Sequence, residues 1–380
     1  MSVALCNGRI LLESGFVTGH AVLVEGTRIG AVVPEGDARL NGAARHDLRG
    51  RCLLPGFIDS QVNGGGGVLF NDSPTLAGLR AIAAAHRRFG TTGFLPTLIS
   101  DDVDVMRAAV GAVAQALREG LPGVLGIHLE GPFLAPERKG VHDAAKFRLP
   151  DEELLDLVAS LGSGRTLLTL APERVAPDTI RELARRGVIV SLGHTAATYA
   201  TTRAALDAGA RGFTHLYNAM SPLQSREPGV VGAALEDAHS WCGLIVDGEH
   251  AHPAAMRVAL AAKARGRMML VTDAMPPVGS AESSFVLDGE RIEVRGGVLR
   301  NAAGALAGSC LDMASAVRNA VRMLAVPLEE AARMASTYPA AFLRLERAHG
   351  AIAAGRRADF VVTDDAVTVH EVWMGGAPVP

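Results

Sequence analysis

Two carboxylates and two imidazoles stand where apolar, strand-length runs of the sequence end. Glu130 closes one such run and is followed at once by Gly-Pro, while His194, His215 and Asp273 end later runs. A buried chain rarely places an ionisable group at such a position unless a metal or a substrate balances its charge. One carboxylate and two imidazoles are enough protein ligands for a catalytic divalent cation that keeps one position open for water.

Each of these residues taken alone has an ordinary explanation. Glu130 would meet solvent at a strand end, and a lone histidine in an apolar run is more often a hydrogen-bonded core residue than a ligand. Asp273 would cap a following helix, but Pro276-Pro277 disfavours a helix there. Their shared position at strand ends favours a metal site. A carboxylate beside that site can accept a proton from a water whose pKa the cation lowers toward about 7.

The elements that must position these residues are strands alternating with Ala-rich helical segments. The predicted strands are Phe57–Val62, Gly93–Leu98, Val124–Glu130, Thr166–Leu170, Val188–Leu192, Gly212–His215, Cys242–Val246 and Met268–Thr272. This α/β pattern predicts a (β/α)₈ TIM-type barrel, whose reactive groups lie at the carboxyl ends of the strands. Strand-like ends at 1-54 and 346-380 predict a small β-sandwich domain formed by both chain termini around a barrel at 55-345.

The segment between the last predicted strand and the carboxyl-terminal strands is mixed. Ser283–Arg300 is polar, and its Leu287-Asp288-Gly289-Glu290 stretch predicts the turn of a β-hairpin. Helices are predicted to resume at Asp312–Leu324 and Leu328–Ser336.

Composition argues against several classes of function. The chain of 380 residues has 37 basic and 40 acidic side chains and a formal net charge of −3, which disfavours nucleic acid or a membrane as its main partner. Its four cysteines lie far apart without a CxxC pair, so neither a disulfide framework nor a thiolate metal site is predicted. No secretory leader is apparent, and no apolar run approaches the roughly 20 residues that span a bilayer. We therefore expect a cytoplasmic protein.

Several motifs resemble the amidohydrolase superfamily over nearly the whole chain. Pro55-Gly56-Phe57-Ile58-Asp59 resembles a motif shared across the superfamily. Two others, His128-Leu129-Glu130-Gly131-Pro132-Phe133 and Thr214-His215-Leu216-Tyr217-Asn218-Ala219-Met220, are similar to the branch that deacetylates N-acetylglucosamine 6-phosphate. Further matches are Gly193-His194-Thr195, Asp247-Gly248, Val271-Thr272-Asp273-Ala274-Met275, and Gly350-Ala351-Ile352 through Ala358-Asp359-Phe360-Val361.

The resemblance implies hydrolysis of the acetamide of N-acetyl-D-glucosamine 6-phosphate to glucosamine 6-phosphate and acetate by a metal-activated water. It implies Glu130, His194 and His215 as metal ligands and Asp273 as general base and later acid. His142 would lie near the acetamide carbonyl as a second catalytic residue. The implied substrate-binding residues are Val141, His142, Asn218, Ala219, Arg226, Asp247, His250, Leu306, Ala307 and Gly308.

Arg226 and His250 are expected to bind the phosphate, because guanidinium forks match phosphate oxygens and imidazolium adds positive charge. Arg226 taken singly reads as an exposed surface residue. In the resembling family some phosphate contacts come from the neighbouring subunit, so a homodimer is expected and Arg226 acts either in its own subunit or across the interface.

One departure from the wider superfamily concerns the metal. Many amidohydrolases have His-x-His at the end of the first strand, where this chain has Gln61 and Asn63. Amides are poor ligands for transition metals, so we predict one divalent cation per subunit, with zinc as the expected ion. Three readings stay open: this deacetylase, a relative acting on galactosamine phosphate or an unphosphorylated amino sugar, and a non-catalytic assembly protein. The last should lack ligand residues, and here all are present.

Overall fold

A computed structural model describes residues 2–379. Before residue 56 the strands are β1 (Ser2–Cys6), β2 (Arg9–Leu12), β3 (Gly15–Val17), β4 (His20–Glu25), β5 (Arg28–Pro34), β6 (Ala44–Asp47) and β7 (Cys52–Pro55). There follow β8 (Phe57–Val62), β9 (Gly64–Gly65), β10 (Val68–Leu69), β11 (Thr91–Ile99), β12 (Gly126–Glu130), β13 (Arg165–Leu170), β14 (Ile189–Leu192), β15 (Gly212–Phe213), β16 (Trp241–Leu244) and β17 (Met268–Leu270). The last strands are β18 (Ser284–Leu287), β19 (Glu290–Arg295), β20 (Val298–Arg300), β21 (Phe360–Thr363), β22 (Val369–Met374) and β23 (Ala377–Val379).

The α-helices alternate with the middle strands and then follow them. They are α1 (Leu76–Arg87), α2 (Val103–Arg118), α3 (Glu152–Val158), α4 (Pro177–Arg185), α5 (Tyr199–Asp207), α6 (Gly229–Glu236), α7 (Pro253–Ala262), α8 (Met313–Leu324), α9 (Leu328–Ala335) and α10 (Thr337–Phe342). Within residues 2–379, none of these helices combines the length and apolarity needed to cross a membrane.

Eight parallel strands form the central sheet in the order β8-β11-β12-β13-β14-β15-β16-β17. Backbone hydrogen bonds join its edges at the carboxyl end: Asp273 N donates to Gln61 O at 3.0 Å, and Asn63 N and Gly64 N both donate to Ala274 O at 2.9 Å. The sheet therefore nearly closes into a barrel. The predicted (β/α)₈ fold is confirmed, and each of the predicted barrel strands is present.

Burial explains why these segments read as barrel strands and helices. All nine residues of β11 are buried, because one face packs inside the barrel and the other under the helices, so the strand needs a continuous apolar run. Helix starts are also encoded locally. The side chains of Thr75, Asp151 and Asp312 accept hydrogen bonds from the first turns of α1, α3 and α8.

The two chain termini build two further sheets. Strands β1, β4, β5 and β6 form a four-stranded sheet, while β2, β3 and β7 join β21, β22 and β23 in a six-stranded one. The antiparallel pairing of Phe360 with Pro55 links the ends. Leu5 and Val24 from the first sheet share a buried cluster with Ile10 and Phe360 from the second. The β-sandwich domain formed by both termini is confirmed, whereas its boundaries at 1-54 and 346-380 stay a prediction.

Helix α10 closes the amino end of the barrel. The side chain of Phe342 is fully buried in a cluster that includes Ile58, Leu167 and Met269, residues from the lower ends of barrel strands. Arg211 donates two hydrogen bonds of 3.0 Å, to Phe342 O and Ala341 O, and so satisfies carbonyls at the end of the helix. The side chain of Phe342 therefore fills the amino end of the barrel interior.

The excursion after the barrel forms a three-stranded antiparallel sheet of β18, β19 and β20. Leu287 pairs with Glu290 across the turn, as predicted from Asp288-Gly289. Leu287 belongs to a buried cluster with Ile99 and Met275, two residues at the carboxyl end of the barrel. The excursion is therefore anchored beside the rim that carries the candidate site.

Candidate active site

Three side chains from the barrel rim converge on one point. Glu130 is the last residue of β12, while His194 and His215 follow closely after β14 and β15. Glu130 Oε1 lies 3.2 Å from His194 Nε2 and 3.0 Å from His215 Nε2, and the two nitrogens are 3.1 Å apart. Ligand atoms held at about 2.0–2.1 Å around a tetrahedral ion would be about 3.3 Å apart, so this spacing suits a divalent cation.

The hydrogen bonds behind the ring of His194 support the same conclusion. Its Nδ1 lies 2.8 Å from Arg138 O, and a carbonyl oxygen can only accept, so Nδ1 carries the proton and Nε2 presents a lone pair. A lone pair beside the Glu130 carboxylate is repulsive unless a cation or a proton lies between them. The three ligand atoms of Glu130, His194 and His215 therefore suit a metal ion.

Electrostatics within this cluster point in the same direction. Burial alone would raise the pKa of Glu130, but the neighbouring His194 and His215 outweigh burial and hold it well below its usual range. Burial would lower the pKa of His215, but the hydrogen bond and charge of Glu130 outweigh it and raise the value. The carboxylate stays ionised in an almost fully buried place, as a metal ligand must.

Backbone conformation is strained at this rim. His194, His215 and Asp273 have φ angles of 49°, 35° and 53°, and Tyr217 and Ala219 have 80° and 50°. Side chains other than glycine rarely adopt this left-handed region, and such residues cluster at functional sites. Strands β15 and β17 end earlier than predicted, shortly before the left-handed residues His215 and Asp273.

Asp273 lies beside the cluster and is held by two amides. Asn63 Nδ2 donates to Asp273 Oδ1 at 2.6 Å and Gln61 Nε2 donates to the same oxygen at 3.1 Å. Gln61 Nε2 also lies 3.2 Å from both oxygens of Glu130. Burial, and then the negative charge of Glu130, raise the pKa of Asp273. A carboxylate whose pKa is raised in this way is a better proton acceptor than an exposed aspartate.

His142 faces the cluster from the loop after β12. The backbone N–H of Ser100 donates to His142 Nδ1 at 3.2 Å, so Nδ1 is an acceptor and the neutral ring carries its proton on Nε2. Burial, followed by the neighbouring His194, lowers the pKa of His142 to about 3. The ring therefore stays neutral and offers an N–H donor.

These residues line a cavity of about 200 Å³. Its walls are Asn63, Ile99, Glu130, Gly140, Val141, His142, His194, His215, Asn218, Ala219, His250, Asp273, Met275, Leu306 and Gly308. Three predicted substrate-binding residues lie outside these walls. Arg226 is exposed, Ala307 is fully buried, and Asp247 lies behind His250, whose Nδ1 is 2.6 Å from Asp247 Oδ2.

Sequence reasoning missed Ile99 as a wall of the cavity. It is the last residue of β11 and carries no chemical group, so only its position at a strand end could have pointed to it. Met275 was part of a recognised motif without an assigned role, and it packs with Leu287 of the excursion. Apolar walls of this kind follow from the tertiary arrangement of the rim.

Asp59 lies on β8, ahead of Gln61 and Asn63 in the chain, and is fully buried. Its Oδ2 accepts a hydrogen bond of 2.5 Å from Thr272 Oγ1, and its Oδ1 accepts from Gln61 N at 3.1 Å. Burial raises the pKa of Asp59 to about 7 despite these bonds. Asp59 thus joins the first barrel strand to the segment that carries Asp273.

A model of the amidohydrolase family matches residues 52–379 of this chain. The chain belongs to the amidohydrolase family. A relative from Shewanella sp. (strain ANA-3), an N-acetylgalactosamine-6-phosphate deacetylase, is 48% identical over 87% of this chain and 83% of its own length. The crystal structure of N-acetylglucosamine-6-phosphate deacetylase from Pasteurella multocida superposes with a TM-score of 0.96 at 34% identity, covering 100% of both chains.

A second solved structure is similar to this chain over its full length. It is a mutant of the N-acetyl-D-glucosamine-6-phosphate deacetylase from Mycobacterium smegmatis in complex with N-acetyl-D-glucosamine-6-phosphate, with a TM-score of 0.91 at 35% identity over 100% of this chain and 98% of that one. Membership of the amidohydrolase family implies a divalent metal. In this chain Glu130, His194 and His215 form the candidate site for it.

Proposed function

We propose that this protein hydrolyses the acetamide of N-acetyl-D-glucosamine 6-phosphate to D-glucosamine 6-phosphate and acetate. The observation that carries the proposal is the joint placement of the Glu130–His194–His215 cluster, Asp273 and His142 around one small cavity. That arrangement provides a cation site, a proton acceptor and a neutral N–H donor, which are the groups that amide hydrolysis requires. Relatives across the whole chain length carry deacetylase activities on amino sugar phosphates.

The chain's own residues divide the chemistry between them. A divalent cation held by Glu130, His194 and His215 would lower the pKa of water toward about 7 and polarise the acetamide oxygen. Asp273 accepts the proton that the attacking water loses. His142 donates its Nε2 proton in a hydrogen bond to the acetamide oxygen as negative charge develops there. Asp273 then gives the proton to the amine nitrogen, and the C–N bond breaks.

Recognition of the phosphate is assigned to His250 with Asn218 and Ala219, which line the cavity together. Asp247 supports this role indirectly, because its carboxylate fixes the ring of His250 from behind. Arg226 is exposed and lies outside the cavity, which suits a guanidinium that reaches the phosphate bound by a neighbouring copy. We therefore propose a homodimer in which Arg226 crosses the interface.

One zinc ion per subunit is the proposed cofactor. Two nitrogens and one carboxylate oxygen suit zinc, and the amides of Gln61 and Asn63 are engaged with carboxylates in place of a second ion. Metal analysis of protein purified without added metal should find one ion per chain, and two ions would overturn this proposal. The proposed location is the cytoplasm, which suits four free cysteines.

A second candidate is deacetylation of N-acetylgalactosamine 6-phosphate, because the relative from Shewanella at 48% identity carries that name. The two epimers differ only at one sugar hydroxyl, so both must be assayed. Acetate release should be measured for both phosphorylated epimers and for unphosphorylated N-acetylglucosamine, before and after chelation and zinc replacement. A higher kcat/KM for the glucosamine epimer supports the main proposal, and a higher value for the galactosamine epimer replaces it. Equal rates with the unphosphorylated sugar would contradict the phosphate contacts.

A further inference from the structure

The amide pair at the end of β8 has an unusual position beside the candidate metal cluster. Gln61 is 1% exposed and Asn63 is 0% exposed, yet neither contributes an apolar side chain to the core. Both amides donate to one oxygen of Asp273, with distances of 3.1 Å from Gln61 Nε2 and 2.6 Å from Asn63 Nδ2. Because an ionised carboxylate can only accept, these bonds fix which end of each amide faces Asp273.

Asn63 is the more informative of the two amides. Its Oδ1 is buried and, within residues 2–379, has no hydrogen-bond partner, whereas its Nδ2 donates to Asp273. A buried carbonyl without a partner is destabilising, and each such group calls for an explanation. An apolar residue of the same size would avoid that cost. The presence of an amide at position 63 is therefore explained by the hydrogen bond that it donates to the carboxylate of Asp273.

We propose that Asn63 is a positioning residue for Asp273, with Gln61 as its helper. Two donors on Oδ1 remove the equivalence of the two carboxylate oxygens and stop the group from rotating. Oδ2 is then the oxygen that accepts the proton of the attacking water and returns it to the leaving amine. This inference rests on the proposed function, because it takes Asp273 to be the base.

Backbone hydrogen bonds allow the positioning role of the Asn63 side chain to be tested without unfolding the barrel. Asp273 N bonds to Gln61 O, and the N–H groups of Asn63 and Gly64 both bond to Ala274 O, at 2.9–3.0 Å. These bonds hold the two segments together whatever side chain stands at position 63. A change in that side chain therefore frees the carboxylate of Asp273 while the backbone hydrogen bonds between the first and last barrel segments persist.

Gln61 is a poorer choice for a test. Its Nε2 also contacts both oxygens of Glu130, so a variant there would disturb a metal ligand as well as the base. Within residues 2–379, no hydrogen bond joins the side chain of Asn63 to Glu130, His194 or His215, whereas its Nδ2 donates to Asp273. Substitution of Asn63 thus leaves the hydrogen bonds of the metal ligands in place, and because Asn63 also lines the cavity, KM is measured beside kcat.

The test replaces Asn63 by leucine, which has a similar size but no donor. Misplacement of a catalytic group by about 1 Å can cost about 10²-fold in rate, so we expect kcat to fall about 10–10²-fold. KM for N-acetylglucosamine 6-phosphate should stay within about threefold, and the metal content should stay at that of the wild-type chain. An Asn63→Ala variant, which also lacks the donor, replaces the leucine variant if that one fails to fold or to retain metal.

A double-mutant cycle separates positioning from a general structural effect. If Asn63 acts through Asp273, then Asn63→Leu should cause no further loss of kcat in an Asp273→Asn background. An equal loss in both backgrounds, or a kcat for Asn63→Leu within twofold of wild type, would overturn the inference. Absence of acetate release by the wild-type holoenzyme would instead reject the proposed function, so the two failures can be told apart.

Asn7 provides a control far from the site. Its side chain donates to Asp47 Oδ1 at 2.7 Å in the sandwich domain, its φ of 56° is one that leucine rarely adopts, and it lies outside the cavity walls. Asn7→Leu should lower the melting temperature while leaving kcat within about threefold. The opposite pattern is expected for Asn63→Leu, with a large change in kcat and a small change in melting temperature.

Discussion

Replacement of His142 by leucine should lower kcat by about 10²–10³-fold, or about 2.7–4 kcal/mol of transition-state stabilisation. Ser100 N donates to His142 Nδ1, so the ring presents an Nε2–H donor whose orientation is set before substrate binds. A donor fixed in advance costs no reorganisation when the acetamide oxygen becomes negative, and one lost donor of this kind accounts for the magnitude. Because the interaction strengthens only as charge develops, KM should change much less than kcat.

The assay follows acetate release from N-acetylglucosamine 6-phosphate by the zinc-loaded wild type, His142→Leu and His142→Gln. The glutamine variant keeps an N–H donor and should recover part of the lost rate, whereas a purely structural role would give no such recovery. Metal content must be measured in parallel, because the ring centroids of His142 and His194 lie only 4.5 Å apart. Similar metal content in all three proteins makes their rates comparable.

The pH dependence of kcat provides a second test of the role of His142. Burial lowers the pKa of His142 to about 3, so its ring is neutral throughout the range above about pH 4. His142→Leu should therefore lower the whole pH–rate profile without moving its acid limb. A loss of less than tenfold in kcat, a loss confined to KM, or a displaced acid limb would each refute the assignment of His142 as a neutral donor.

Three further predictions concern the metal, Asp59, and Phe342 at the amino end of the barrel. His215→Ala should remove at least nine-tenths of the bound zinc and the activity with it; retained zinc by metal analysis would exclude His215 as a ligand. Burial raises the pKa of Asp59 to about 7, above an unfolded value near 3.9, so its ionisation opposes folding increasingly as the pH rises. In urea unfolding, Asp59→Asn should therefore gain up to about 2–3 kcal/mol relative to wild type on going from pH 5 to pH 8, and an unchanged difference would contradict the shifted pKa. Phe342→Ala should lower the free energy of unfolding by about 3–5 kcal/mol while the metal content persists, and a cost below about 1 kcal/mol would show that Phe342 is not tightly packed at the amino end of the barrel.

The barrel could be read from the sequence because its strands and helices are encoded locally. Strands buried on both faces give continuous apolar runs, and β8 spans the same residues, Phe57–Val62, as predicted. Helix α6 could not be recognised from periodicity, because nearly all of its residues are buried and it lacks the polar face whose period would mark a helix. Helix α10 was missed because it begins right after the predicted end of α9 and contains Pro339. Both helices depend on packing against the rest of the barrel, which a local sequence pattern does not reveal.

The identity of the cluster also followed from the sequence. Carboxyl ends of parallel barrel strands share one rim, so Glu130, His194 and His215 were expected to meet, and their donor atoms do lie within 4.8 Å of one another. The catalytic roles given to Asp273 and His142 remain predictions for the assays above. Arg226 is exposed and lies outside the cavity walls, so its phosphate contact stays a prediction.

The sequence by itself determined the fold class and the residue types that gather at the rim, because these depend on periodicity and on groups at strand ends, and its motifs indicated the family. Only the tertiary structure decided how those groups bond to one another. Asn63 and Asp273 are 210 residues apart, and the 2.6 Å bond between them depends on closure of the barrel. The tautomer of His142 likewise depends on a backbone N–H at Ser100, in another loop. Hydrogen-bond direction is set by the three-dimensional placement of both partners, which no local pattern specifies.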